Sequence, residues 1–128
     1  MSNTVNFREF DLFNPTQEHS MLRDSLRSFV QTEVEPQAHE FDRKEQFNLP
    51  LFRKLGELGL LGITVPEAYG GAGMDALAAV IVHEELSASD PGFCLAYLAH
   101  SMLMVNNFAV NASEELKKAW IPKIISGE

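Results

Sequence analysis

The chain has 128 residues, 45% of them hydrophobic, and a formal net charge of −8. This composition fits one packed globular domain and excludes an intrinsically disordered chain. Residues 55–116 hold eight acidic side chains and neither lysine nor arginine. A nucleic-acid interface needs clustered cations to neutralise phosphates, so that class of function is excluded. The single cysteine excludes an internal disulfide framework.

The sequence also bears on location. Residues 1–11 lack the cationic start, apolar core and cleavage site of a secretory signal. The purest apolar runs, residues 76–82 and 93–99, are too short to cross a bilayer, so we expect no membrane span. We therefore expect a cytoplasmic protein; a mitochondrial matrix location would require a presequence that had been removed.

Hydrophobic periodicity predicts an all-α fold, an up-down helical bundle of five to six helices over residues 15–128. Residues 1–14 carry no strong period and are interpreted as an extended N-terminal arm. Asn14 or Thr16 is expected to cap the first helix. Pro36 is expected to end or kink that helix, and residues 37–44 to form a short helical stretch.

A proline and glycine-rich turn, VPEAYGGAGMD, occupies residues 65–75. A helix that starts at Pro50 and ends at Gly59 precedes it. Within the turn, three glycines are expected to supply positive φ angles, and Asp75 to cap the next helix. A last helix is expected to start at Ser113. We expect the turn to organise the chain around it.

The two central helices, starting near residues 76 and 93, are apolar on more than one face. A small bundle normally keeps a polar face on each helix, so part of this surface should meet another domain, a subunit or a ligand. The pattern suggests the first domain of something longer. Met102 and Met104, with their leucine neighbours, fit either plain core or an adaptable ligand pocket.

The residues offer few candidates for catalysis. The GxGxxA pattern at residues 71–76 lacks the strand–turn–helix context of a dinucleotide site. His83-Glu84-Glu85 is not HExxH, so capping, surface solvation or inter-domain ion pairing is preferred to a metal site. A hydrolase centre from His100, Ser101 and Asp90 is disfavoured because neighbours on a helix point apart. Cys94 is expected to be a buried, inert thiol. No catalytic, cofactor-binding or metal-binding residue is assigned.

Several segments, in the expected order, resemble the N-terminal helical domain of acyl-CoA dehydrogenases. They are the turn at residues 65–75 followed by EELS at 84–87, MLRDSLRSFV at 21–30, VEP at 34–36, LGELGLLGI at 55–63, and SEELKK through SGE at 113–128. The resemblance covers about residues 15–128. Asn111-Ala112 stands where the family has glycine, and Ala68 replaces a commoner acidic or bulkier residue.

The resemblance implies an FAD-dependent enzyme that performs α,β-dehydrogenation of acyl-CoA thioesters. It implies a homotetramer in the complete form and an electron-transfer flavoprotein as the electron acceptor. In that family a middle β-domain and a C-terminal helical domain carry most flavin contacts, the CoA contacts and the catalytic glutamate. We expect these to be absent here, and the chain alone to be inactive.

The resemblance also places the helix after Gly92 in the wall of the acyl pocket. The residues expected to contact substrate are Leu95, Leu98, Ala99 and Met102, with Ala99 leaving room and the larger side chains limiting chain length or branching. Two alternatives stay open: a stand-alone helical interaction or acyl-binding module without redox activity, and the same domain from an acyl-CoA oxidase or related flavin monooxygenase.

Overall fold

The computed structural model describes residues 11–128, so most of the expected arm lies outside the described residues. Within them the chain forms seven α-helical segments and no strand. The segments are α1 (Gln17–Phe29), α2 (Glu35–Arg43), α3 (Leu49–Glu57), α4 (Ala76–Ser87), α5 (Pro91–Leu98), α6 (Asn107–Asn111) and α7 (Glu114–Ser126). The π-helical stretches Val30–Val34 and Ala99–Asn106 join α1 to α2 and α5 to α6 without a break. The predicted all-α fold is confirmed.

Pro36 does not end the helical run, one of the two effects predicted for it, and the predicted short helical stretch is present as α2. Pro36 lies at the start of α2, directly after the π-helical turn Val30–Val34. Proline has no amide hydrogen and its ring collides with the carbonyl four residues earlier in a regular α-helix. The wider π turn, in which the Glu35 amide bonds to the Val30 carbonyl, accommodates both defects. The helix therefore continues to Arg43.

The glycine turn folds back on the segment before it through backbone hydrogen bonds. The Gly73 amide donates to the Val65 carbonyl at 2.8 Å, and the Met74 amide to the Ile63 carbonyl at 2.9 Å. Gly70 and Gly73 have positive φ angles, as predicted, whereas Gly71 does not. Gly71 is required for a different reason: a Cβ there would lie 2.1 Å from the Val65 carbonyl oxygen.

Two hydrophobic clusters hold the helices together. The larger gathers α1, α3, α4 and α5 around buried side chains such as Leu55, Ile81 and Tyr97. The smaller joins the glycine turn and the π stretch to α7 through Val65, Val105, Ile121 and Ile125. The long helix Pro91–Asn111 therefore packs into both clusters along one face.

Within the described residues, Pro91–Asn111 is one helix whose 21 residues are long and apolar enough to cross a membrane. The expectation of no membrane span considered only the apolar run at residues 93–99 and not the whole helix. Core helices of soluble proteins meet the same criteria, and Tyr97, Ser101 and Val105 of this helix are buried in the domain. Length and composition alone therefore do not assign it to a bilayer.

Candidate functional site

An open, mostly apolar groove of about 570 Å³ runs between α4 and the helix that contains α5. We call it the α4–α5 groove; its lining residues are Thr64, Ala76, Ala79, Val80, His83, Glu84, Ser87, Cys94, Leu98, Met102 and Asn106. Its size and apolar lining fall in the range of small-molecule pockets and helix-binding grooves.

The π-helical stretch explains which side chains of the long helix face this groove. Cys94, Leu98, Met102 and Asn106 follow at steps of four residues. In an α-helix each such step advances by about 40°, so three steps would carry a side chain off the face. A π-helix bonds i→i+5 and holds more residues per turn, so each residue rotates the chain by less than in an α-helix. The π-helical stretch Ala99–Asn106 therefore cancels this rotation of the side chains around the helix axis. The four side chains therefore stay on one line.

Polar groups inside the groove are mostly satisfied by the protein itself. The Thr64 hydroxyl donates to Asn106 Oδ1 at 2.9 Å, and the Cys94 thiol to the His83 carbonyl at 3.4 Å. The His83 Nδ1 lies 2.6 Å from the Ala79 carbonyl oxygen, so it carries the ring proton. Nε2 is covered and has no hydrogen-bond partner among the described residues. Cys94 is buried, as predicted, and its burial raises the pKa of the thiol.

A second cavity of about 480 Å³ opens on another face of the same helix. We call it the Ala99 cavity; it is lined by Phe47, Leu49, Phe52, Arg53, Ala96, Ala99, His100, Gly127 and Glu128. The side chains of Ala96 and Ala99 are small, so they leave space where the cavity borders the long helix. The Phe52 ring forms part of the cavity wall. It packs edge-on against the His100 ring, with 5.1 Å between the two ring centres.

The four side chains predicted to contact substrate do not share one cavity. Leu98 and Met102 line the α4–α5 groove, whereas Ala99 lines the Ala99 cavity. Leu95 is 64% exposed and lines neither. Leu103, absent from the prediction, is 66% exposed and continues the line of Leu95 and Ala99 in steps of four. Its spacing of four residues from Ala99 was visible in the sequence, whereas its exposure was not.

The acidic pair after His83 forms an ion-pair network with α1. The guanidinium of Arg23 donates to Glu85 Oε1 at 2.7 Å and to Glu84 Oε2 at 2.8 Å. Arg27 Nε adds a contact to Glu85 at 3.2 Å. The glutamates therefore join α4 to α1 within this domain, whereas the ion pairing expected from the sequence was between domains.

The residues considered for hydrolase chemistry are held apart by separate contacts. His100 Nε2 lies 3.0 Å from the Ile124 carbonyl, and the Ser101 hydroxyl donates to the Leu61 carbonyl at 3.0 Å. Asp90 caps α5 by accepting the Phe93 amide at 2.9 Å. The three side chains form no catalytic unit.

The glycine turn does not fit the phosphates of a dinucleotide such as FAD. Cradling phosphate requires free backbone amides. Here the amides of residues 70–74 all donate to carbonyls of residues 62–67. No chemical step is therefore assigned to a flavin at this turn.

Comparison with known proteins shows which protein family shares this architecture. The sequence model for "Acyl-CoA dehydrogenase, N-terminal domain" matches residues 16–128. The mitochondrial isovaleryl-CoA dehydrogenase of Pongo abelii is 43% identical over 115 residues, which cover 88% of this chain and 27% of that protein.

Solved structures give the same result. The glutaryl-CoA dehydrogenase of Mycobacterium smegmatis superposes with a TM-score of 0.81 at 33% identity, covering 88% of this chain and 29% of that one. An acyl-CoA dehydrogenase of Bacillus anthracis in complex with FAD superposes with a TM-score of 0.75 at 34% identity, covering 88% and 19%. The chain thus spans less than a third of the length of these proteins. By the extent of the match, this chain belongs to the acyl-CoA dehydrogenase family, of which it carries the N-terminal domain.

Proposed function

We propose that the chain acts as the N-terminal domain of a longer FAD-dependent acyl-CoA dehydrogenase, where it supplies one wall of the acyl pocket. The single observation that supports the wall is the line of Leu95, Ala99 and Leu103. Two large aliphatic side chains on this line are about two-thirds exposed. Exposed apolar side chains arranged in a line are typical of a surface that meets a ligand or another domain.

On this proposal the acyl chain lies along that line, beside the Ala99 cavity. Ala99 is the smallest side chain on the line, so it sets how closely a chain can approach the helix. Leu98 and Met102 face the α4–α5 groove instead, and one linear chain cannot contact all four predicted residues at once. The predicted effect of Leu98 and Met102 on the preferred length of the acyl chain is therefore tested separately.

The remaining assignments follow from the family. The longer protein would use FAD, which supplies the hydride acceptor when bound, and acyl-CoA as substrate. We propose an electron-transfer flavoprotein as its electron acceptor and a homotetramer as its assembly. Its location is proposed as the cytoplasm, or the mitochondrial matrix if a presequence directs it there; the Pongo abelii relative is named as mitochondrial. The chain alone contributes packing and specificity, not catalysis.

The test is Ala99→Leu in the full-length enzyme, assayed as kcat/KM over straight-chain acyl-CoA substrates of increasing length. The added isobutyl bulk is expected to shift preference to shorter or slimmer chains by about tenfold. Ala76→Leu adds the same bulk on the groove side and is expected to leave the length profile unchanged. Identical profiles for Ala99→Leu and the parent enzyme would refute the proposed wall.

Leu98→Ala and Met102→Ala separate the two faces. If only these groove variants change the length profile, the acyl chain occupies the groove and the proposed line is wrong. The alternative of a stand-alone module makes a different prediction for the isolated chain: saturable binding of an acyl-CoA without other domains. Equilibrium dialysis with octanoyl-CoA distinguishes the two, because a pocket with only one wall should bind it negligibly.

A further inference from the structure

Two buried hydroxyl groups attach the long helix Pro91–Asn111 to the segment before the glycine turn. The Tyr97 hydroxyl donates to the Leu60 carbonyl at 2.8 Å, and the Ser101 hydroxyl donates to the Leu61 carbonyl at 3.0 Å. Two side chains one helical turn apart thus bind two consecutive carbonyls. Because both side chains are buried inside this domain, domains that cover its surface in a longer protein leave these two contacts in place.

The carbonyls that accept these bonds belong to a turn that is itself held in place. Leu60–Gly62 forms one 3₁₀ turn, and its side chains are buried. The Gly62 carbonyl accepts the amides of Val65 at 3.1 Å and Ala72 at 3.0 Å, which ties the turn to both sides of the glycine turn. The turn therefore gives the long helix a fixed reference.

The two hydroxyls contribute something that apolar packing does not. Burying a hydroxyl group is unfavourable unless it forms a hydrogen bond, and an apolar side chain fills a core without that cost. A hydrogen bond has a narrow range of favourable angles, whereas hydrophobic contact is non-directional. Tyr97 and Ser101 therefore restrict the rotation of the long helix about its own axis.

These anchors lie on the helix face opposite the line of Leu95, Ala99 and Leu103. An α-helix rotates by about 100° per residue, so positions two before and two after Tyr97 both lie about 160° away around the axis. Leu95 and Ala99 hold those positions, and Leu103 is likewise two residues from Ser101. The exposure agrees, since both leucines are about two-thirds exposed and both anchors are buried. A rotation that breaks the anchors turns the line by the same angle.

We propose that Tyr97 and Ser101 are positioning residues, whose hydroxyls fix the rotation of the long helix and thereby the direction in which Leu95, Ala99 and Leu103 face the acyl chain. Neither hydroxyl contacts the substrate. The role in substrate selection rests on the proposed function, whereas the anchoring of the helix rests on the two hydrogen bonds alone.

The test removes one hydroxyl at a time from the full-length enzyme, by Tyr97→Phe and Ser101→Ala. The values of kcat/KM are measured over straight-chain acyl-CoA substrates of increasing length. A less firmly held wall discriminates less, so the ratio between the preferred substrate and the next longer one should fall by at least about threefold. Ser101→Thr retains a hydroxyl and should lower the ratio less than Ser101→Ala does.

Ile81→Val is the matched control for a loss of stability alone. It removes a buried methylene from the same core and leaves both hydrogen bonds in place. Its length profile should equal that of the parent even if its melting temperature falls as far as that of Ser101→Ala. A profile that changes equally in Ile81→Val and Ser101→Ala would overturn the positioning role, because any loss of core stability would then have the same effect.

Crystal structures separate this proposal from the proposed wall. In the double variant Tyr97→Phe with Ser101→Ala, the Ala99 Cβ should move by more than about 0.5 Å relative to the turn Leu60–Gly62. A long helix that stays in place would overturn the anchoring, whatever the effect of Ala99→Leu. A displaced helix with an unchanged length profile, in an enzyme whose profile does respond to Ala99→Leu, would overturn the role in selection. A displaced helix in an enzyme that does not respond to Ala99→Leu would support the anchoring and refute the proposed wall.

Discussion

The imidazole of His19 connects the caps of two helices: its Nε2 lies 2.8 Å from Asp75 Oδ1. On its other side, Nδ1 lies 2.7 Å from the hydroxyl of Thr16, which caps α1 by accepting the His19 amide. The Asp75 carboxylate can only accept, so Nε2 carries a proton. Asp75 also caps α4 by accepting the Ala78 amide at 2.9 Å. The end of the glycine turn is thereby fixed to the start of α1.

Replacing Asp75 by alanine should destabilise the protein by about 2–4 kcal/mol, because it removes a helix cap and leaves the buried Nε2–H of His19 unpaired. Asp75→Asn keeps an acceptor for both donors and should lose less. Urea unfolding followed by circular dichroism measures both changes. Asp24→Ala, at an exposed position of α1, is the control. Equal losses at Asp75 and Asp24 would contradict this account.

The same carboxylate makes stability depend on pH. The hydrogen bond from His19, followed by that from the Ala78 amide, lowers the pKa of Asp75 below its ordinary value of 3.8. A pKa lower in the folded than in the unfolded state adds stability above the unfolded pKa, and that stability is lost as the pH falls through the folded pKa. Below about pH 4 the stability advantage of the parent over Asp75→Asn should therefore shrink. An advantage that does not change between pH 7 and pH 3 would exclude this coupling.

Gly71 is predicted to tolerate no side chain. A Cβ there would lie 2.1 Å from the Val65 carbonyl oxygen, an atom of the backbone that cannot move aside without opening the turn. Gly71→Ala should therefore destabilise the protein by about 3 kcal/mol or more. Thermal unfolding gives the measurement.

Gly92→Ala is the matched control for that substitution. Gly92 lies in the first turn of α5, and a Cβ there would have an ordinary contact of 3.6 Å with Asp90 Oδ1. Alanine should be neutral or stabilise the helix by up to about 1 kcal/mol. A melting temperature lowered equally by both substitutions would show that the glycine turn has more freedom than its contacts indicate.

Features set by a few neighbouring residues could be predicted from the sequence. Asp75 and Ser113 cap α4 and α7, and Gly59 adopts the left-handed conformation beyond the end of α3, because each depends on local backbone geometry. The predicted end of the helix at Pro36 was wrong, because a π turn that hydropathy does not reveal accommodates its missing amide.

Features that depend on distant residues could not be predicted. The pairing of Arg23 with Glu84 and Glu85 joins residues about 60 positions apart. The division of the predicted acyl contacts between two cavities likewise depends on which helices pack beside the long one: α4 residues complete the wall beside Leu98, and α3 residues complete the wall beside Ala99. The spacing of residues along one helix does not reveal these neighbours.

Arg23 provides the last prediction, since its guanidinium is buried between α1 and α4. It donates to Asn14 Oδ1 at 2.8 Å in addition to both glutamates. Glu85→Ala should destabilise the protein by about 1–3 kcal/mol, because Arg23 Nη1 loses its partner in a buried position while Glu84 and Asn14 still bind the rest of the guanidinium. The double replacement Arg23→Met with Glu85→Leu should recover most of that loss, since an apolar pair of similar size avoids the desolvation of both charges. Chemical unfolding measures the stability of both variants. A double variant less stable than Glu85→Ala would mean that the ion pair stabilises the packing of α1 on α4 more than an apolar pair of similar size does.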